Sequence, residues 1–180
     1  MVEKHQELET ISILCNRKRS REHEHDILMT IFSNSNIRSV NIHDMMSSGE
    51  ELGRLPVTSS KLEKLCLTSC RNLTDRGLQG LLLGIGNNLT ELDLSKSFVT
   101  EEGFQQPVKS LPNLEKLNLY LNTNLTDDGL YQISKTCGNK LKELNLSFTQ
   151  ITGIKLDKKQ SLMFPCLQIL NLGLYMNLSV

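Results

Sequence analysis

The chain has 180 residues, with 20 Lys and Arg balanced by 20 Asp and Glu, a length that suits one ordinary domain. A formal charge of zero removes any general electrostatic reason to expect nucleic acid or an anionic membrane as partner, and no stretch approaches the roughly 20 apolar residues of a membrane span. The opening MVEKHQELET is charged and polar and does not read as a secretory signal, while five cysteines without a dense framework suit free thiols in a reducing compartment.

Along the chain, the first strand pattern is LETISI at 8–13, a weak one. The basic RKRSR at 17–21 runs into EHEHD and reads as a solvated face. In EHDILMTIF, Ile27, Leu28, Ile31 and Phe32 form a helical stripe. IRSVNI at 37–42 and LEKLCL at 62–67 are the next strands. TDRGLQGLLLGI then predicts a helix, with Thr74 as cap, Asp75 in the first turn, and Leu78, Leu81, Leu82 and Ile85 on one face. LTELDL at 89–94 follows, then Thr100 and Glu101 opening a helix that Pro107 should shorten or break. LEKLNL at 114–119 precedes a second full helix, opened by Thr126 and Asp127, with Leu130, Ile133 and Cys137 inward. LKELNL at 141–146 leads into an irregular TGIKLDKKQSLMFP, and LQILNL at 167–172 is the last strand.

Every strand pattern places apolar residues at offsets 0, 3 and 5. The starts at 8, 37, 62, 89, 114, 141 and 167 lie 29, 25, 27, 25, 27 and 26 residues apart. A second motif keeps the same beat: NLTDRGL at 72–78, FVTEEGF at 98–104 and NLTDDGL at 124–130 are spaced by 26. Such a period marks a repeat architecture. A single strand–turn–helix unit cannot bury its own leucines, so neighbours must stack into a continuous core. The expected fold is an α/β solenoid of six to seven repeats, with a curved parallel sheet inside and helices and irregular segments outside. Residues 1–36 read as a divergent N-terminal repeat or cap, and 37–180 as the repeats, the last of them incomplete.

The pattern L-x-x-L-x-L-x-x-C-x-x-L-T-D-x-G-L, running from Leu62 to Leu78, resembles the cysteine-containing subtype of leucine-rich repeats. It is similar to the repeat region of F-box and leucine-rich-repeat proteins and of related cell-cycle regulators. That resemblance implies a protein–protein interaction module, the substrate-recognition part of a ubiquitin-ligase receptor or a related regulator, cytoplasmic or nuclear. It would join the ligase complex through a segment not seen here, since no F-box helices precede residue 8. The alternative is the ligand-sensing repeat region of an innate-immune-type receptor or scaffold. The subtype's cysteine is kept only at Cys70; Asn16, Met45, Ser97, Asn122, Thr149 and Tyr175 stand in its place. Asparagine there can bond the turn backbone, and serine, threonine and cysteine less fully. The Met45 and Tyr175 units should be distorted.

No pattern demands catalysis, a cofactor or a metal. Cys66 and Cys70 are at C-x₃-C spacing but should diverge, one facing out and one into the loop core, and no second pair accompanies them. Cys137 and Cys166 read as buried thiols. His23 and His25 alternate with acids on a helix, where residues two apart do not face each other, so a solvated face is expected. LLLGIGNN lacks the dinucleotide fingerprint.

Surface is what remains. Offsets 2, 4 and 6 should face the concave side, free of nucleic acid and membrane and offered to a protein partner. Lys64, Glu91, Lys116 and Glu143 form a row of alternating charge at offset 2, readable as an internal ladder or as a docking stripe. Asp93, Asn118 and Asn145 share offset 4; His43 and Tyr120 share offset 6. Tyr120, with Leu121, Phe148 and Leu174 just beyond, is a candidate interface hot spot; alternatively Leu121, Phe148 and Leu174 pack under the following loop. The C-terminal LQILNLGLYMNLSV starts a unit and stops after its strand. On that basis the chain is expected to be a piece of a longer protein or a truncated product, to self-associate when made alone, and to be least protected over 160–180.

Overall fold

The computed structural model describes residues 8–15, 21–46, 61–105, 111–152 and 164–173. Among them are seven strands in one sheet, in chain order and all parallel. They are β1 (Thr10–Leu14), β2 (Ser39–His43), β3 (Lys64–Thr68), β4 (Glu91–Asp93), β5 (Lys116–Asn118), β6 (Glu143–Asn145) and β7 (Ile169–Asn171). The helices are α1 (Arg21–Phe32), α2 (Asp75–Ile85) and α3 (Asp127–Cys137), with a 3₁₀ helix at Glu101–Phe104. This is the α/β solenoid expected from the period. Among the described residues, no helix is long and apolar enough to cross a membrane.

The strands begin two residues later than the leucine pattern. At offset 1 two consecutive amides share one carbonyl of the preceding unit: Glu63 and Lys64 on Arg38, Thr90 and Glu91 on Glu63, Glu115 and Lys116 on Thr90. This pinch bends the chain just ahead of the strand and turns the offset-0 residue inward, so Ile37, Leu62, Leu89, Leu114 and Leu141 are buried. Leu8, whose unit has no neighbour before it among the described residues, is exposed. Offsets 3 and 5 complete the rows, from Val40 and Ile42 through Leu117 and Leu119 to Leu144 and Leu146. Each fully buried leucine contributes roughly 1.5–3 kcal/mol, which lets a core of aliphatic rows stand with few aromatics.

Each strand from β2 to β6 ends in the same sharp turn. Asp44, Ser69, Lys96, Leu121 and Phe148, all at offset 7, have φ of 55 to 60°. Each of their amides donates to an offset-6 carbonyl of the next strand, as Lys96 does to Tyr120 at 2.8 Å and Leu121 to Ser147 at 3.0 Å. Among the described residues of the Met45 unit, 37–46, the predicted distortion is not seen: Met45 is buried, Asp44 turns like its equivalents, and β2 keeps full register with β3. A long apolar side chain fills the space, and the backbone bonds carry the turn without it. Tyr175 lies outside the described residues.

Three offset-8 side chains, Cys70, Ser97 and Asn122, bind their unit to the one before. Asn122 Nδ2 donates to the Leu94 and Leu119 carbonyls at 2.9 and 3.0 Å, and Oδ1 accepts from the Val99 amide at 3.0 Å. Ser97 Oγ donates to Leu67 at 2.7 Å, and Cys70 Sγ makes long contacts to the Ile42 and Thr68 carbonyls. Thr149 stays within its own unit: its hydroxyl donates to the Leu146 carbonyl at 2.8 Å and accepts from the Ile151 amide at 3.4 Å. The amide thus does most and the thiol least, as their donor and acceptor counts require.

The thrice-repeated heptapeptide is a clamp between units. Leu73, Val99 and Leu125 at its second position, and Leu78, Phe104 and Leu130 at its seventh, are core residues. Thr74 caps α2, its hydroxyl accepting from the Gly77 amide at 3.1 Å. Asp75 then reaches into the next unit, where its two oxygens take the Thr100 amide and hydroxyl at 2.9 and 2.8 Å. Asp127 repeats this with Thr152 at 2.7 and 2.8 Å. The motif's glycine makes room: a Cβ at Gly103 would lie 2.8 Å from Asp75 Oδ1, and one at Gly129 would lie 2.5 Å from Leu125 Cδ1.

Three expectations change here. Thr126 sits at the N-cap of α3 but makes no side-chain cap bond. Its hydroxyl points instead to Glu101 Oε1 at 3.4 Å, because Glu101 fills the place Asp75 has one unit earlier. The expected solvated face of the first helix is wrong at Glu24, which is buried and accepts from the Met46 amide at 3.1 Å, while His25 is half-buried. Cys166 is exposed rather than buried. It occupies the position just before offset 0, where Lys61, Asn88 and Lys140 are exposed too. The helix opened by Thr100 is short, as expected, ending at Phe104, though Pro107 itself lies outside the described residues. At β7, Leu170 and Leu172 are 47% and 49% exposed, where their equivalents in β6 are 1% and 2%.

Candidate functional site

The α-helices and the 3₁₀ helix pack on the leucine rows, leaving the other face of the sheet open. A hollow of about 400 Å³ lies on that open face, spanning β2 to β7. Its floor is the offset-2 and offset-4 rows, placed in lateral register by strand pairing: Lys64 beside Glu91, Glu91 beside Lys116, Lys116 beside Glu143. Strands about 4.8 Å apart bring such side chains within reach. Lys64 meets Glu91 at 2.8 Å and Lys116 meets Glu143 at 2.8 Å. The Glu143 carboxylate raises the pKa of the Lys116 ammonium. The charge row is therefore internally paired.

Offset 4 is also committed to the fold. Asp93, Asn118 and Asn145 each accept, through Oδ1, the amide two residues on: Ser95 at 2.8 Å, Tyr120 at 3.1 Å and Ser147 at 3.0 Å. These Asx turns start the bend that offset 7 completes. Asn118 Nδ2 also donates to Asp93 Oδ2 at 2.9 Å. Asn118 and Asn145 are half-buried, and the solvent-facing edges of the two side chains can still meet a ligand. His43 is half-buried at the end of β2, away from the aromatic residues.

Tyr120 and Phe148 come together at the turn end of the sheet. Their rings meet edge to face with centroids 5.5 Å apart, a geometry favoured by the ring quadrupoles. Phe148 is 37% exposed despite this contact, so part of its ring is open to solvent. Leu121 is half-buried, and Leu174 lies outside the described residues.

Two features escaped the sequence reading. A second charge row at offset 1 runs beside the first: Arg38 pairs with Glu9 and Glu63, and Lys142 with Glu115 at 2.9 Å. Aligning the units by column shows it, since those residues share one offset. Phe98, 39% exposed, is the other. It lies at offset 9 and takes a second left-handed conformation, φ 59°, which no neighbouring turn repeats.

Cys66 and Cys70 diverge as expected. Cys66 lies half-buried on the open face, where burial, the largest influence, raises its thiol pKa. Burial pushes Cys70 and Cys137 from an ordinary 9.0 up to about 12. Among the described residues no three metal-ligating side chains cluster. A raised thiol pKa means the folded state holds its proton more tightly. The unfolded chain ionises first, so stability is unaffected below about pH 9 and falls as pH rises from there toward 12. A thiol reagent at pH 8 should label Cys166 at once and Cys70 and Cys137 only on unfolding. Prompt labelling of Cys70 in the native protein would contradict this burial.

Comparison with known proteins follows the same lines. A family model described as Leucine Rich repeat matches residues 58–82, 110–134 and 139–154. Three units of the chain match that model, and the sheet of parallel strands in chain order is a leucine-rich repeat solenoid. No curated protein matches it. Among solved structures 21 chains match. One is described as "Crystal structure of Rad7 and Elc1 complex in yeast"; it is 14% identical, with a TM-score of 0.37, over 82% of this chain and 60% of that chain.

Proposed function

We propose that the chain is a protein-binding module whose partner docks on the open face of the sheet, against Tyr120 and Phe148 with Lys116, Asn118, Glu143 and Asn145 beside them. The open hollow across β2 to β7 carries this reading. It is an extended polar surface with an aromatic pair at one end, and among the described residues it carries no assembled nucleophile, base or metal set. Interfaces of this kind place their energy in a few aromatic anchors. Replacing Tyr120 by alanine should weaken partner binding by about 2 kcal/mol, roughly thirtyfold, as read by titration calorimetry. Unchanged affinity in both Tyr120→Ala and Lys116→Glu would refute the assignment.

The finer reading is the substrate-recognition part of an F-box-type ubiquitin-ligase receptor or a related regulator, in the cytoplasm or nucleus. It rests on the subtype pattern from Leu62 to Leu78, and the free thiols suit a reducing compartment. Affinity purification from the source cells tests it. Recovery of a cullin and its adaptor supports the ligase assignment, and their absence from a purification that recovers other specific partners removes it.

A further inference from the structure

Four of the cations along the sheet are neutralised: Arg38, Lys64, Lys116 and Lys142 each hold a glutamate. Two on the turn rim differ. The guanidinium of Arg71 lies over the Phe98 ring, 5.7 Å from its centroid, and the Lys96 ammonium lies 6.0 Å from the centroid of Tyr120. Neither makes an ion pair with a described carboxylate. The Tyr120 ring continues to Phe148 through their edge-to-face contact. Arg71 with Phe98, and Lys96 with Tyr120 and Phe148, thus set cations against aromatic rings at two places along the rim.

Lys96, Phe98 and Phe148 all have φ of 59°, a conformation that glycine adopts without cost and that bulky side chains rarely take. Bulky residues held this way gather at ligand-contacting positions. The turn at offset 7 is common to five units, so the conformation at Lys96 and Phe148 belongs to the fold. The extra left-handed residue at Phe98 does not, and it stands beside Arg71.

We infer that this rim is the anchoring part of the docking surface, and that its occupant is an acidic protein segment carrying apolar or aromatic side chains between its carboxylates. The inference rests on the protein-binding reading above and deepens it. Carboxylates would take the two cations that lack them, and side chains between would lie on the exposed parts of Phe98 and Phe148. A nucleic-acid strand fits less well. Asp44 lines the same hollow as Arg71, and Asp93 stands one strand from Tyr120, so a continuous polyanion would meet carboxylates at both places.

The test uses the full chain and a fluorescein-labelled peptide of alternating glutamate and tyrosine, with a lysine-for-glutamate version as control. The acidic peptide should bind and the basic one should not. Reversing both rim charges, Arg71→Glu with Lys96→Glu, should weaken the acidic peptide by about tenfold or more. Phe98→Asn should weaken it too, and asparagine tolerates the left-handed backbone, so the turn is kept while the ring is lost; circular dichroism checks each variant. Failure of the acidic peptide to bind, equal binding of the basic one, or displacement by single-stranded oligouridine at matching affinity would overturn the inference. Loss of binding in Lys116→Glu with none in the rim variants would also overturn it, while leaving the open-face reading intact.

Discussion

Replacing Asn122 by alanine should destabilise the protein by about 3 kcal/mol, on the order of a 10 °C drop in Tm. Asn122 is fully buried and serves three backbone groups: the Leu94 and Leu119 carbonyls and the Val99 amide. Alanine would strand them where water does not reach, and each stranded group costs about 1–3 kcal/mol, with relaxation recovering part. The equivalent positions should rank by the bonds they make. Ser97→Ala should cost about 1–2 kcal/mol, since one strong bond to Leu67 is lost. Thr149→Ala should cost the least of the three, because its hydroxyl donates only within its own unit. Urea denaturation measures all three, and a Thr149 variant as damaged as the Asn122 variant would contradict the ladder.

Asp127→Ala should cost a similar amount, about 3 kcal/mol. Its carboxylate is buried and takes both the amide and the hydroxyl of Thr152. Hydrogen bonds to an ionised acceptor are worth roughly twice neutral ones, and a vacated amide in this seam has no substitute. Thr152→Val removes the hydroxyl and keeps the amide, so it should cost less. In the double variant the losses should not add, leaving a coupling of about 1 kcal/mol or more. Simple additivity would mean that the two side chains do not act as a clamp.

The fold was legible because its signal is repeated. A single leucine pair says little, but offsets 0, 3 and 5 recurring seven times fix the strands, their faces and their order. The roles of Asn122 and Ser97 were legible in outline, from their donor and acceptor counts at a shared offset. The clamp was not. Asp75 and Asp127 read as residues favourable to a helix start, and nothing local shows that each carboxylate reaches a threonine 25 residues away. Glu24 was missed for the same reason, its partner Met46 lying 22 residues on.

The candidate face was legible as positions and not as chemistry. Pairing of Lys64 with Glu91 and of Lys116 with Glu143 followed from adjacent strands at one offset. The Asx turns at Asp93, Asn118 and Asn145 turn a row that looks available into one largely committed to its own backbone. Phe98 was invisible as a surface residue because its exposure depends on a left-handed φ, and a phenylalanine gives no sequence sign of one.

The central claim is that consecutive repeats lie side by side, parallel and in register, so that one face is built unit by unit. Backbone nuclear Overhauser contacts in the isotope-labelled protein test it most directly. The account predicts an unbroken series of interstrand contacts from the Leu65 region to Leu92, on to Leu117 and on to Leu144, with the parallel pattern throughout. Short antiparallel α-proton contacts between any two of these strands, or a strand paired with one not next to it in the chain, would contradict it.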